Sequence, residues 1–149
     1  MATIQLTKDF REFLKSMNSE KVEYLLVGGY AVAWHGYPRA TGDLDVWVAV
    51  SEENANRLVQ ALLKFGFDLP ALRRELFLQP HKIIRMGRPP FRIEIITSAS
   101  GCQFEGCRER AVEALLDDVP VAIIGLEDLK ANKRAAGRHK DLDDLEHLP

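Results

Sequence analysis

The sequence predicts a mixed α/β fold, a central sheet backed by helices, and three observations carry that reading. Near the N-terminus Phe10, Phe13, Leu14 and Met17 recur at helical spacing behind Thr7 as a cap, so one helix face packs inward. The period then changes to two: from Asp43 to Val50, Leu44, Val46, Val48 and Val50 alternate with Asp43, Asp45, Trp47 and Ala49. Helical and strand-like segments continue in turn without a linker, repeat or low-complexity tract, which gives residues 1–149 as one domain.

The other elements follow from punctuation. Val22 to Val27 is a short apolar run that suits a buried strand closed by a turn at Gly28-Gly29, and Tyr30 to His35 suits a short helix stopped by Gly36. Ser51 caps a helix that reaches Phe65, with Asn54, Leu58 and Leu62 on one side and Gly66 at its end. Phe77 to Met86 and Phe91 to Thr97 are predicted as strands joined by Gly87-Arg88-Pro89-Pro90, a loop too rich in proline for a sheet interior. In the second of these, Ile93 and Ile95 face one way and Arg92, Glu94 and Ile96 the other. A helix over Phe104 to Ala114, a strand over Val119 to Ile124, and helices over Leu126 to Ala136 and Leu142 to Leu148 complete the chain.

Composition narrows the function classes. A chain of 149 residues, 46% hydrophobic and 28% charged, is an ordinary globule that can bury a core without disulfides or a structural metal. A formal charge of −2 excludes a protein whose whole surface is a basic nucleic-acid face, while leaving room for local basic patches. No segment reaches the roughly 18 apolar residues of a membrane span, and the start MATIQLTKDFREFLKSM has no leader pattern, so a cytoplasmic protein with no membrane partner is expected. In that compartment Cys102 and Cys107 are expected to pack as free thiols, since two cysteines without a nearby His pair do not make a zinc site.

Chemistry concentrates in three places. A strand, the Gly28-Gly29 turn and a helix start together present free backbone N–H groups to a phosphate, although such a pair also serves as a plain tight turn. The dinucleotide fingerprint is absent, because Tyr30 and Ala33 stand where its further glycines belong. Asp43 and Asp45, two apart on a strand, point to one side with Cα atoms about 6.5–7 Å apart, close enough to converge on a pair of cations. Two such ions serve in-line phosphoryl displacement, and hard oxygen ligands select Mg²⁺. An isolated Asp-x-Asp also suits an exposed strand face, but aspartate is a poor strand former and Glu94 adds a third carboxylate on another strand. For Glu94 alone, a cross-strand salt bridge to Arg92 or Arg85 is the competing reading.

The stretch LLVGGYAVAWHGYPRATGDLDVWV resembles the core motif of the nucleotidyltransferase superfamily that includes DNA polymerase β, in the branch of small bacterial AbiEii-type toxins. Thirteen residues separate Gly29 from Asp43, and Arg-Ile-Glu-Ile-Ile at Arg92 to Ile96 matches the third carboxylate element. The tail LEDLKANKRAAGRHKDLDDLEHL is similar to the same branch, so the resemblance covers most of the chain. It implies a minimal nucleotidyltransferase fold in which Gly28 and Gly29 hold the triphosphate of an NTP. Asp43 and Asp45 would hold two Mg²⁺ ions, with Mn²⁺ as a substitute, and Glu94 the ion nearer the acceptor, doubling as general base. The family commonly has Asp at that last position.

The resemblance also places Arg39 and Thr41 where the branch carries Arg-x-Thr, to steady the loop or touch phosphate, with a structural ion pair as the alternative for Arg39. Lys133 would approach the phosphates, held by Asp141. The bland reading of that basic tail is a solvated helix face, for which Lys140 and Asp144 have pairing distance. His35 and His81 are expected to be structural. The reaction implied is transfer of NMP to an acceptor hydroxyl, on RNA such as tRNA or on a protein. The alternative is a partner-binding component of a toxin–antitoxin pair.

Overall fold

The computed structural model describes residues 4–68 and 70–149; the first three residues of the N-terminal start, and Leu69, lie outside the described residues. Helix α1 (Lys8–Ser19) begins where Thr7 Oγ1 accepts the Phe10 N–H at 3.1 Å, and it buries Phe10, Phe13, Leu14 and Met17. Each such side chain contributes about 1.5–3 kcal/mol by leaving water. Strand β1 (Tyr24–Val27), buried throughout, runs directly into α2 (Gly28–Trp34), so the helix starts at the two glycines themselves and not at Tyr30. Strand β2 (Asp43–Val48) leads to α3 (Glu52–Phe65), capped by Ser51 and closed by left-handed Gly66 as its punctuation indicates. Buried Asn54 ties the start of α3 to the sheet, accepting from Glu23 N–H at 2.7 Å and donating to Ala49 C=O at 2.8 Å.

The second half departs from expectation in four places. The strand expected from Phe77 begins later: a 3₁₀ helix (Arg74–Leu78) buries Phe77, and β3 (Ile83–Arg88) follows a turn. Gly87 and Arg88 belong to that strand, so the hairpin to β4 (Phe91–Ile96) is made by Pro89 and Pro90 alone. The helix expected to reach Ala114 stops at Glu109; α4 (Phe104–Glu109) gives way to strand β5 (Val112–Leu116). A two-residue turn joins β5 to β6 (Val119–Ile123), with Asp117 and Asp118 at φ 49° and 66°. Positive φ at both turn residues matches the right-handed twist of a hairpin, and Asp tolerates that region. Helix α5 (Leu126–Ala136) ends at left-handed Gly137, and α6 (His139–His147) starts three residues before the expected Leu142.

The six strands form one mixed sheet in the order β3-β4-β2-β1-β6-β5. Leu44, Val46, Val48, Ile93 and Ile95 supply its buried face, and Phe91 meets Phe10 edge-on at 6.3 Å, which puts α1 on that side. On the opposite face Trp47 is covered by Phe104 at 5.3 Å, while Asp43 and Asp45 on the same side of β2 are only half-buried. The sheet is therefore closed by apolar packing at one end and open, with carboxylates, at the other. No helix is long and apolar enough to cross a membrane among the described residues.

Candidate active site

The open end is a cleft of about 730 Å³. Gly28, Gly29, Arg39, Thr41, Asp43, Asp45, Glu94 and Lys133 all line it, whereas Asp141 lies behind the wall. A Cβ on Gly28, whose φ is +69°, would stand 2.1 Å from Asp45 Oδ2, and one on Gly29 would stand 2.5 Å from Thr41 Oγ1. Backbone amides at the start of α2 and the Asp45 carboxyl thus share a space that any side chain would fill.

Strand pairing sets the carboxylates. In the parallel β2–β4 register Asp45 faces Glu94 and Asp43 faces Arg92; in the antiparallel β3–β4 register Arg85 faces Glu94. Arg92 donates to both Asp43 oxygens at 3.4 Å, and Arg85 Nε donates to Glu94 Oε1 at 2.5 Å. The cross-strand salt bridge of Glu94 is therefore real, and it coexists with Glu94's place in the cleft. Asp45 makes no ion pair among the described residues. Burial, then the hydrogen bond it shares with Glu94 and the negative charges of Glu94 and Asp43, push its pKa up to about 8 against the pull of Lys140. Glu94 is correspondingly held below the usual carboxylate range, first by the hydrogen bond from Asp45 and then, against burial, by Arg85 and Arg92. The surroundings therefore favour the neutral form of Asp45 and the ionised form of Glu94.

A hard divalent cation fits this donor set in chemistry: all the ligands are carboxylate oxygens, on adjacent strands that line one cleft. The three are not gathered around a point, and no group of three His, Cys, Asp or Glu among the described residues is. Arg85 pairs with Glu94, and Arg92 with Asp43.

The basic tail is built differently from a solvated helix face. Lys133 is buried, 3.2 Å from Asp141 and 2.9 Å from Asp144, and both aspartates are buried too. Arg39 grips Asp144 through two hydrogen bonds of 2.8 and 2.9 Å, so it serves as a structural ion pair from the loop before β2 to α6. Thr41 Oγ1 donates to Asp43 C=O at 3.3 Å and steadies the same loop. The spacing-allowed Lys140–Asp144 pair does not form, because Asp144 is turned inward to Arg39 and Lys133, and Lys140 lines the cleft with Arg138. Ser98, Ser100 and Asn132 also line it, and nothing in their sequence pattern marks them out. Outside the cleft, His35 Nε2 lies 2.7 Å from the Ile124 carbonyl, the structural role expected of it; Cys102 and Cys107 are free thiols, half-buried and buried respectively.

No protein-family profile and no curated protein matches the chain. Solved structures do. TM1012, a Thermotoga maritima protein described as a nucleotidyltransferase, superposes with a TM-score of 0.59 at 13% identity over 95% of this chain and 94% of its own. The lincosamide antibiotic adenylyltransferase LnuA, bound to lincomycin, gives 0.57 at 15% identity, with 98% of each chain covered. An antigenic nucleotidyltransferase-like protein from Paracoccidioides brasiliensis gives 0.53 at 17% identity over 95% of this chain and 76% of its own. The fold is the nucleotidyltransferase fold.

Proposed function

We propose that this chain, acting as one domain, is a nucleotidyltransferase that moves NMP from an NTP to an acceptor hydroxyl and releases pyrophosphate. The observation that supports this most is the placement of Asp45 directly between the Gly28 backbone and Glu94, so that phosphate cradle and carboxylates share one cleft. Asp43, Asp45 and Glu94 would hold Mg²⁺, or Mn²⁺ in its place. Such ions, when bound, supply charge neutralisation on the phosphates and make the acceptor oxygen a better nucleophile. The chain's own residues do the rest. Gly28 and Gly29 admit phosphate oxygens to backbone N–H groups. Arg138 and Lys140, on the cleft wall, offset charge on the departing pyrophosphate. The acceptor oxygen bonds to the α-phosphorus, the bond from that phosphorus to the bridging oxygen breaks, and Glu94, ionised, accepts the hydroxyl proton at a carboxylate oxygen.

The AbiEii-like branch is part of this proposal. It makes RNA, a tRNA end included, the first acceptor to test in a cytoplasmic setting, a protein hydroxyl the second, and a cognate toxin–antitoxin partner the further binding partner. The experiment supplies each α-labelled NTP with Mg²⁺ and cell RNA or protein extract, with γ-labelled NTP as control. Label moving from the α but not the γ position supports the reading; no α label in either acceptor pool, or label from the γ position, defeats it.

A further inference from the structure

Two of the three cleft carboxylates already have a cation, and both cations come from the β3–β4 hairpin. Arg85 and Arg92 are the strand-register partners of Glu94 and Asp43, so the sheet itself aims each guanidinium at a carboxylate. Neither pair is sealed. The Arg85 side chain is 56% exposed, and both Arg92–Asp43 contacts, at 3.4 Å, are longer than an ordinary N–H···O bond. Lys133 with Asp144, by contrast, is closed to solvent. Ion pairs open to solvent contribute little to a fold, so stability does not account for these two. The hairpin from Ile83 to Ile96 is also mostly basic: it carries Arg85, Arg88 and Arg92 against Glu94 alone, in a chain of formal charge −2.

We propose that Arg85 and Arg92 are resident counter-cations of the cleft: they hold Glu94 and Asp43 until a divalent cation takes those carboxylates, which frees both guanidinium groups for phosphate oxygens of the substrate. This rests on the reading of the cleft as a cation-assisted phosphoryl-transfer site. A doubly charged ion competes with a half-solvated guanidinium for the same oxygens: its Coulomb attraction is twice as large at equal distance, set against a larger cost of shedding water. The released group is a planar fork of N–H donors, whose geometry matches phosphate as well as carboxylate. The same arginine therefore opposes cation binding and supports phosphate binding. A purely structural ion pair has no such opposite signs.

The test is calorimetric titration of wild type, Arg85→Gln, Arg92→Gln and Arg88→Gln, first with Mg²⁺ alone and then with inorganic tripolyphosphate at saturating Mg²⁺. Arg88 sits on the same hairpin, exposed and outside the cleft lining, and so controls for loss of one charge. Arg85→Gln and Arg92→Gln are expected to bind Mg²⁺ about three- to five-fold more tightly and tripolyphosphate more weakly by at least that factor, with Arg88→Gln near wild type in both arms. Arg85→Lys should recover part of each effect. If both variants match Arg88→Gln in either arm while wild type binds Mg²⁺, the inference is overturned and the proposed function stands. A wild type that binds no Mg²⁺ removes both. Should Arg92→Gln not fold, Arg85→Gln decides, because Arg85 is half exposed on an edge strand.

Discussion

Asp45 and Glu94 stand opposite each other on parallel strands, yet their pKa values are driven apart, Asp45 up to about 8 and Glu94 below the usual carboxylate range. That difference follows from position. Glu94 has Arg85 beyond it at the sheet edge, whereas Asp45 has the Gly28 backbone on its other side. Asp43, one pleat away, has Arg92. The line across the sheet therefore runs from the Gly28 backbone, through a carboxyl whose pKa is raised and one whose pKa is lowered, to an arginine. Several expectations follow from that order.

Asp43→Asn and Asp45→Asn each remove one negative oxygen from a hard-cation site without changing side-chain volume. Each is expected to lower transfer of α-labelled NMP roughly 100-fold or more, since even outer-shell changes around a metal cost up to that factor. Far-UV dichroism should be unchanged. Near wild-type labelling by either folded variant counts against the metal assignment.

Gly28→Ala puts a methyl group 2.1 Å from Asp45 Oδ2 on a backbone at φ +69°. The left-handed conformation alone costs about 1–2 kcal/mol for a residue with Cβ. A lower urea midpoint and weaker nucleotide binding are expected together. Gly29→Val has no such backbone penalty, since it lies in a helical turn, but collides with Thr41 and blocks the same approach. Unchanged NTP affinity in folded Gly29→Val would return the turn to a purely structural role.

Lys133 has a structural job at the junction of α5 and α6. Removing it leaves Asp141 to Arg138 and Asp144 to Arg39, so Lys133→Met should cost about 3 kcal/mol, the lower end for breaking a buried ion pair. Burial opposes ionisation of both aspartates, but hydrogen bonds from Arg138, Arg39 and Lys133 overcome it and hold their pKa values below the ordinary 3.8. A depressed folded pKa contributes stability that is present above about pH 4 and lost as pH falls through the folded value. The urea midpoint should fall steeply below pH 4 in wild type and less steeply in Asp144→Asn. Equal acid slopes would show that this network is not what acid breaks.

Local signals made much of this legible. Alternation placed Asp43 and Asp45 on the polar face of β2 and Glu94 on that of β4, and the Thr7, Ser51 and Gly66 end signals fixed α1 and α3. What was not legible depends on partners distant in the chain. Val112 to Ala114 reads as the end of a helix until β6 is beside it, because the turn after β5 is Asp117-Asp118 and lacks the usual glycine. Alternation tells which face Glu94 occupies but not that Arg85 is its neighbour. Lys133 looks like a surface lysine until α6 folds back and brings two aspartates over it.

The last expectation needs no substrate. Asp45 has a folded pKa of about 8 against an ordinary 3.8, raised by burial, by its hydrogen bond to Glu94 and by two neighbouring negative charges. A carboxyl whose folded pKa is raised holds its proton more tightly when folded, so its contribution is fully present below about pH 4 and is lost as pH rises through about 8. Each unit of difference is worth about 1.4 kcal/mol, so the loss by neutral pH is a substantial part of a marginal stability. Asparagine keeps an N–H donor for Glu94 and never ionises. Asp45→Asn should therefore raise the melting temperature of cation-free protein at pH 7.5 by roughly 5 °C and bring it close to wild type at pH 4.5. Added Mg²⁺ should then stabilise wild type more than the variant, because ligand stabilisation follows affinity for the folded state. Scanning calorimetry at the two pH values, with and without Mg²⁺, reads all four quantities. A salt-bridged surface aspartate gives the opposite sign, and a clear destabilisation by Asp45→Asn at pH 7.5 without cation, together with no response of wild type to Mg²⁺ and NTP, would end the catalytic reading of this face.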